Sequence, residues 1–149
     1  MEGKYTKLTF VIGFIGLLIT IWQILPLRDK QIDGEWTMTS KVKEADLQRY
    51  VGMEIKWKLF LTENDQKVKG TAEKIAINNK TLHYGLRTTM ELEGNIKDDI
   101  LTLSYVEHGK LRKTSGIFIV KMNGKEFKGQ FSQTASNTKG DIIGRKLEK

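Results

Sequence analysis

The chain has 149 residues, 39 % of them hydrophobic, with 25 basic side chains against 18 acidic ones, a formal net charge of +7 and no cysteine. The lack of cysteine excludes a disulfide framework, a thiol nucleophile and any cysteine-held zinc or iron centre. Its only histidines, His83 and His108, stand far apart among ordinary strand residues, so no metal centre is expected, and the length allows one main core.

Residues 8–27, LTFVIGFIGLLITIWQILPL, carry no charge. At a helical rise of about 1.5 Å per residue, such a run spans the roughly 30 Å hydrocarbon layer of a bilayer once. It is longer than the apolar region of a signal peptide, and the Leu25-Pro26-Leu27-Arg28-Asp29 exit offers no small-residue cleavage site. Trp22 suits an interfacial ring and Pro26 the end of the helix. Residues 1–29 are therefore predicted to form a retained single-pass anchor, and residues 30–149 a separate domain. Lys4 and Lys7 on one flank balance Arg28 and Lys30 on the other, so charge leaves the orientation open. Most of the positive charge falls after the anchor, which suits an anionic ligand or the anionic face of a bilayer as well as a solvated surface.

Beyond the anchor the pattern is that of short strands. In residues 53–62, Met53, Ile55, Trp57, Leu59 and Leu61 alternate with mostly polar neighbours, the signature of a strand with one buried and one wet face. Trp36, Met38, Ser40 and Val42 alternate in the same way, and the polar stretch from Glu44 to Arg49 has room for a turn of helix. Turn residues then recur at Glu63-Asn64-Asp65-Gln66, Asn78-Asn79-Lys80, Asp98-Asp99, His108-Gly109-Lys110, Asn123-Gly124-Lys125 and Ser136-Asn137-Thr138. The Asn123-Gly124 pair is the strongest hairpin signal, since both central residues of a type I′ turn need positive φ.

The resulting strands are predicted over 34–43, 52–62, 67–77, 82–96 (with a break at Gly85 as an option), 100–107, 111–122, 125–134 and 139–147. Connections this short make neighbours antiparallel, and eight strands in series remove their open edges by closing. The predicted fold is all-β, an eight-stranded antiparallel up-and-down barrel preceded by one transmembrane helix. Gly70, Gly94, Gly116, Gly129 and Gly144 fall inside strands, where they mark bends of a small barrel or close approach of a ligand.

An eight-stranded barrel is just filled by side chains or holds one small ligand, so inward polar groups are the candidates for a site. The parity of Phe118 and Val120 places Arg112 and Thr114 inward, although the opposite parity carries Ile117 and Ile119. Tyr105 is in register with Leu101 and Leu103. Tyr84 is aligned with Leu82, Leu86 and Met90, and Arg87 lies near the start of that strand. Trp57, Tyr84 and Tyr105 are aromatics able to stack on a ligand, with plain core packing as the favoured reading of each. Glu54, Glu91 and Glu93 fall on the wet parity. No nucleophile elbow, zinc-helix motif, P-loop or dinucleotide fingerprint occurs, so a catalytic role is not expected.

Gly34-Glu35-Trp36 resembles the GxW motif that opens the first strand of lipocalins and their relatives. That resemblance implies that Trp36 closes the barrel floor beneath a basic residue of the last strand, with Arg145 as the matching candidate. With the order of parts, and with KVKGTAE, MELEGNIKDDILTLSYVEHGKLRKTSGIF and KEFKGQFSQTASNTKGDIIGRK, the whole chain resembles the membrane-anchored β-barrel effectors of CBASS, the bacterial anti-phage system built on cyclic oligonucleotide signals. Members commonly have two membrane helices, where this sequence supplies one. The resemblance implies a cytoplasmic barrel, tethered to the inner membrane, that binds a cyclic dinucleotide, forms homo-oligomers and disrupts the lipid bilayer to cause abortive infection. It implies no cofactor and no nucleic acid polymer as partner. A membrane-tethered lipocalin-like carrier or chaperone of an apolar ligand is the alternative, and a structural membrane protein docking a partner is a third.

Overall fold

The computed structural model describes residues 32–148. Nine strands follow one another: β1 Gly34–Glu44, β2 Glu54–Asn64, β3 Lys67–Ile77, β4 Lys80–Thr81, β5 Thr89–Lys97, β6 Ile100–His108, β7 Lys113–Asn123, β8 Glu126–Gln133 and β9 Thr138–Lys146. Each long strand pairs antiparallel with the next, and β9 returns to β1 from Trp36↔Lys146 to Glu44↔Lys139. The result is a closed eight-stranded barrel, with the two-residue β4 laid against the end of β3. The predicted anchor, residues 1–29, lies outside the described residues. Among the described residues no helix is long and apolar enough to cross a membrane.

The period of two in the sequence becomes the wall of the barrel. Trp36, Met38 and Val42, then Trp57, Leu59 and Leu61, then Leu101, Leu103 and Tyr105, then Phe118 and Val120 are buried, with their alternating neighbours turned outward. Inward glycines give the larger rings their space. A methyl group on Gly116 would meet the Tyr105 ring at 2.3 Å, and one on Gly144 would meet the Phe127 ring at 2.0 Å. Small and large residues thus alternate across facing strands, as a narrow barrel requires.

The strand predicted over 82–96 is shorter. β5 begins at Thr89, and Tyr84–Leu86 form a single 3-10 turn in which Leu86 N donates to His83 O and Arg87 N to Tyr84 O. Side-chain parity therefore does not reach back to Tyr84. At the Asn123-Gly124 hairpin only Gly124 has positive φ, at 59°, because Asn123 is still the last paired residue of β7, opposite Glu126. Turns with positive φ at both central residues occur instead at Asp65-Gln66, Asn78-Asn79, Asp98-Asp99 and Ser136-Asn137.

The barrel has two unlike ends. At the floor, the two-residue turns Asp65-Gln66, Asp98-Asp99 and Gly124-Lys125 join their strands. Trp36 there is fully buried, donates from Nε1 to Ile32 O at 2.8 Å and packs against Phe127 with ring centroids 5.4 Å apart. The cation over the Trp36 ring is Lys146, whose Nζ stands 5.9 Å from the centroid, and this corrects the expectation for Arg145. Trp36 pairs directly with Lys146, whereas Arg145 pairs with Thr37, points outward and ion-pairs with Glu126 at 2.6 Å. At the opposite end, longer connections (residues 45–53, 78–88, 109–112 and 134–137) surround an open mouth.

Candidate functional site in the barrel mouth

The mouth encloses a cavity of about 430 Å³ lined from every side of the barrel, by Val42 of β1, Ile55 of β2, Lys74 of β3, Glu107 of β6, Thr114 of β7, Gln133 of β8 and Thr138 of β9 among others. At its wall stands an ion pair: Lys74 Nζ lies 2.5 Å from Glu107 Oε1, with side-chain exposures of 15 % and 12 %. Both residues follow from strand alternation, Lys74 sharing the face of Val68 and Ala72, and Glu107 that of Leu101, Leu103 and Tyr105. Above Lys74 the register slips by one residue, with Trp57 facing Lys74 but Lys56 facing Ala76, so that Ile75 bulges from the ladder. Such bulges re-aim side chains at barrel rims.

The pair is embedded in further polar contacts. Thr88 Oγ1 donates to Glu107 Oε1 at 2.7 Å. The Lys74 ammonium sits 5.0 Å from the centroid of the Trp57 ring, and Trp57 Nε1 donates to Ser40 Oγ at 3.3 Å. Tyr105 donates its hydroxyl to Gln133 Oε1 at 3.1 Å and stacks on Phe118 at 4.4 Å. Burial first, and then the Glu107 carboxylate, push its phenol far above the ordinary tyrosine value, so the ring keeps its proton.

The residues predicted for the site divide among three settings. Thr114 faces the cavity and is buried. Trp57 and Tyr105 lie inside the barrel, where one face of Trp57 is covered by Lys74, and Tyr105 packs against Phe118 with Gly116 beneath it. Both support the cavity wall. Arg112 shares the inward parity of β7 but precedes its first residue, so its side chain is exposed on the rim, with no ion-pair partner among the described residues. Tyr84 is 78 % exposed on the long β4–β5 connection. Arg87, beside it, is already engaged: it ion-pairs with Glu73 at 3.4 Å, donates to Leu82 O at 3.3 Å and lies 5.9 Å from the Tyr84 ring centroid.

Two larger concavities, of about 800 and 740 Å³, lie outside the wall across β7, β8 and β9. They are lined by residues such as Ser115 and Ser132, or Ile117 and Lys128, and contain no buried ion pair. His108 is half-buried: its Nε2 has no hydrogen bond and stands 3.5 Å from Glu91 Oε1.

A half-buried lysine and a buried carboxylate in the open end of an apolar barrel can offer a ligand both a donor and an acceptor. Around them Lys110 and Arg112 supply positive charge, and Tyr50 an aromatic edge. Comparison with models of known protein families finds no match, and comparison with curated proteins finds none.

Proposed function

We propose that the mouth of the barrel is a binding site for a small anionic ligand with planar polar groups, and that the chain works by binding rather than by turnover. The observation that carries this reading is the Lys74–Glu107 pair. Two charges held largely out of water within an apolar barrel cost more than hydrophobic residues of the same volume, so their retention beside a cavity points to recognition. Arg112 and Lys110 on the rim suit phosphate, the arginine fork donating two parallel hydrogen bonds. Glu107, Thr88 and Gln133 present acceptors and donors to polar ring edges.

Among anionic ligands we propose a cyclic dinucleotide, the class implied by the resemblance to CBASS effectors. In this reading the barrel lies in the cytoplasm, ligand binding drives self-association, and the apolar segment at residues 8–27 carries the effect to the inner membrane. The alternative, a tethered carrier of an apolar or amphiphilic molecule, has its own support in Val42, Met53, Ile55 and Ile77, which share the cavity with the polar groups.

The test is calorimetry and sedimentation on the full-length protein with a panel of cyclic dinucleotides, for wild type and Arg112→Ala. Binding with a Kd below about 100 μM, weakened in the variant and accompanied by larger species, is the expected result. Failure of every dinucleotide, with displacement of a fluorescent fatty acid from the wild type, favours the carrier. Equal binding by the Arg112 variant places the phosphate elsewhere.

A further inference from the structure

We infer that the rim of the mouth is a docking surface for an anionic lipid bilayer. This stands on the loops alone, whatever the cavity holds. Three separate connections each raise large apolar side chains into solvent at this one end. Leu47 and Val51 are 45 % and 37 % exposed on the β1–β2 connection, Tyr84 and Leu86 are 78 % and 57 % exposed on the β4–β5 connection, and Leu111 is 99 % exposed at the tip of β6–β7. Single exposed apolar residues are ordinary, but a group of them rimmed by polar residues marks an interaction surface. The two-residue floor turns themselves carry none; at that end Ile100 and Leu147 are each 40 % exposed, and Ile119 and Ile143 are exposed on the wall.

Charge decides the partner. Each apolar apex has a cation beside it in the chain: Arg49 between Leu47 and Val51, Arg87, ion-paired with Glu73, next to Leu86, and Lys110, Arg112 and Lys113 around Leu111, where the positive charge is concentrated. Asp46 is the acid of these three connections, and its carboxylate accepts from Asn137 Nδ2 at 2.7 Å. An apolar tip flanked by long basic side chains matches the profile of an anionic bilayer with depth. The tip enters the acyl boundary while the cations remain among the phosphates. The floor turns have the opposite character, with Asp65, Asp98 and Asp99 against Lys125. Docking by these loops brings the open mouth against the lipid.

The absence of native cysteine allows a local test. Full-length protein held in zwitterionic nanodiscs, which satisfies its apolar N-terminal segment, is labelled with an environment-sensitive dye at Leu111→Cys or, separately, at Asp98→Cys. Vesicles of phosphatidylcholine alone or mixed with phosphatidylglycerol are then added. The expected result is a blue shift at position 111 with the mixed vesicles only and none at position 98. In a Lys110→Glu/Lys113→Glu background the apparent affinity falls by about tenfold or more. An equal shift with neutral vesicles, an equal shift at position 98, or no shift at all overturns the inference. A shift at position 111 that grows with protein concentration without vesicles overturns it too, and makes the rim a contact between copies.

Discussion

The two ends of the barrel are built from the same strands by opposite rules. At the floor, the turns are as short as the ladders allow, and the fully buried Trp36 has its one polar atom satisfied by Ile32 O. At the mouth, the connections are long, a strand bulges at Ile75, and an ion pair and several hydroxyl and amide groups replace aliphatic packing. The difference locates stability at one end and chemistry at the other. Apolar closure secures the barrel, which then carries at its open end groups that packing alone would not select.

The strongest test of that division is Trp36→Ala. Removing a fully buried indole typically costs about 3 to 5 kcal/mol, so the variant should unfold at much lower urea or temperature than wild type. A melting temperature unchanged within a degree or two would show that the floor does not close the barrel. The next largest effect is expected at the mouth. Glu107→Gln leaves the Lys74 ammonium without its counter-charge, which should cost about 2 to 4 kcal/mol, somewhat below the value for a fully buried pair because some solvent reaches both groups. The double variant Lys74→Met/Glu107→Leu should instead match or exceed wild-type stability while losing ligand. If the double variant is as unstable as the single one in urea titrations, the pair is part of the scaffold and the two ends do not differ in kind.

A third prediction uses Tyr105, where the wall of the site meets the core. Its phenol is raised above the ordinary value of about 10 in the folded chain. Its contribution is therefore fully present below pH 10 and is lost as the pH climbs past it, since the unfolded chain releases the proton first. Tyr105→Phe removes the hydrogen bond to Gln133 and should cost about 1 kcal/mol at neutral pH. Above pH 10 its stability should fall less steeply than that of wild type. Urea unfolding across that range measures both, and parallel curves would mean that the hydroxyl is hydrated in the fold.

Alternation made most of the barrel readable. The eight long strands, their antiparallel neighbours and the inward rows through Trp57, Tyr105 and Thr114 all follow from a period of two, whereas the two-residue β4 does not. The same alternation contained Lys74 and Glu107, but these residues stand 33 positions apart, and only the closed sheet brings them together. Leu82, Tyr84 and Leu86 also alternate, yet Tyr84 and Leu86 belong to a 3-10 turn while Leu82 before it bonds to Ile75 of β3, so the pattern marks no face there. Arg112 has the correct parity but lies one residue before β7 begins, where side-chain direction is set by the loop.

The smallest expected effect concerns the choice between the neighbouring cations Arg145 and Lys146. A shift of one residue moves a side chain to the opposite face of a sheet, so the residue that covers Trp36 must have the parity of Gly144 and Ile142, which Lys146 has and Arg145 lacks. The Arg145 guanidinium instead reaches Glu126 Oε1 from the outer surface, with 73 % of its side chain exposed. Exposed pairs of this kind contribute about 0 to 1 kcal/mol and are screened by salt. Arg145→Ala should therefore change stability by no more than that, and the difference should shrink in high salt. Lys146→Ala should cost more and retain its effect in salt, because it uncovers the indole as well as removing a charge. Paired urea unfolding of the two variants at low and high salt decides between them, and a larger, salt-resistant loss for Arg145→Ala would restore Arg145 as the residue that closes the floor.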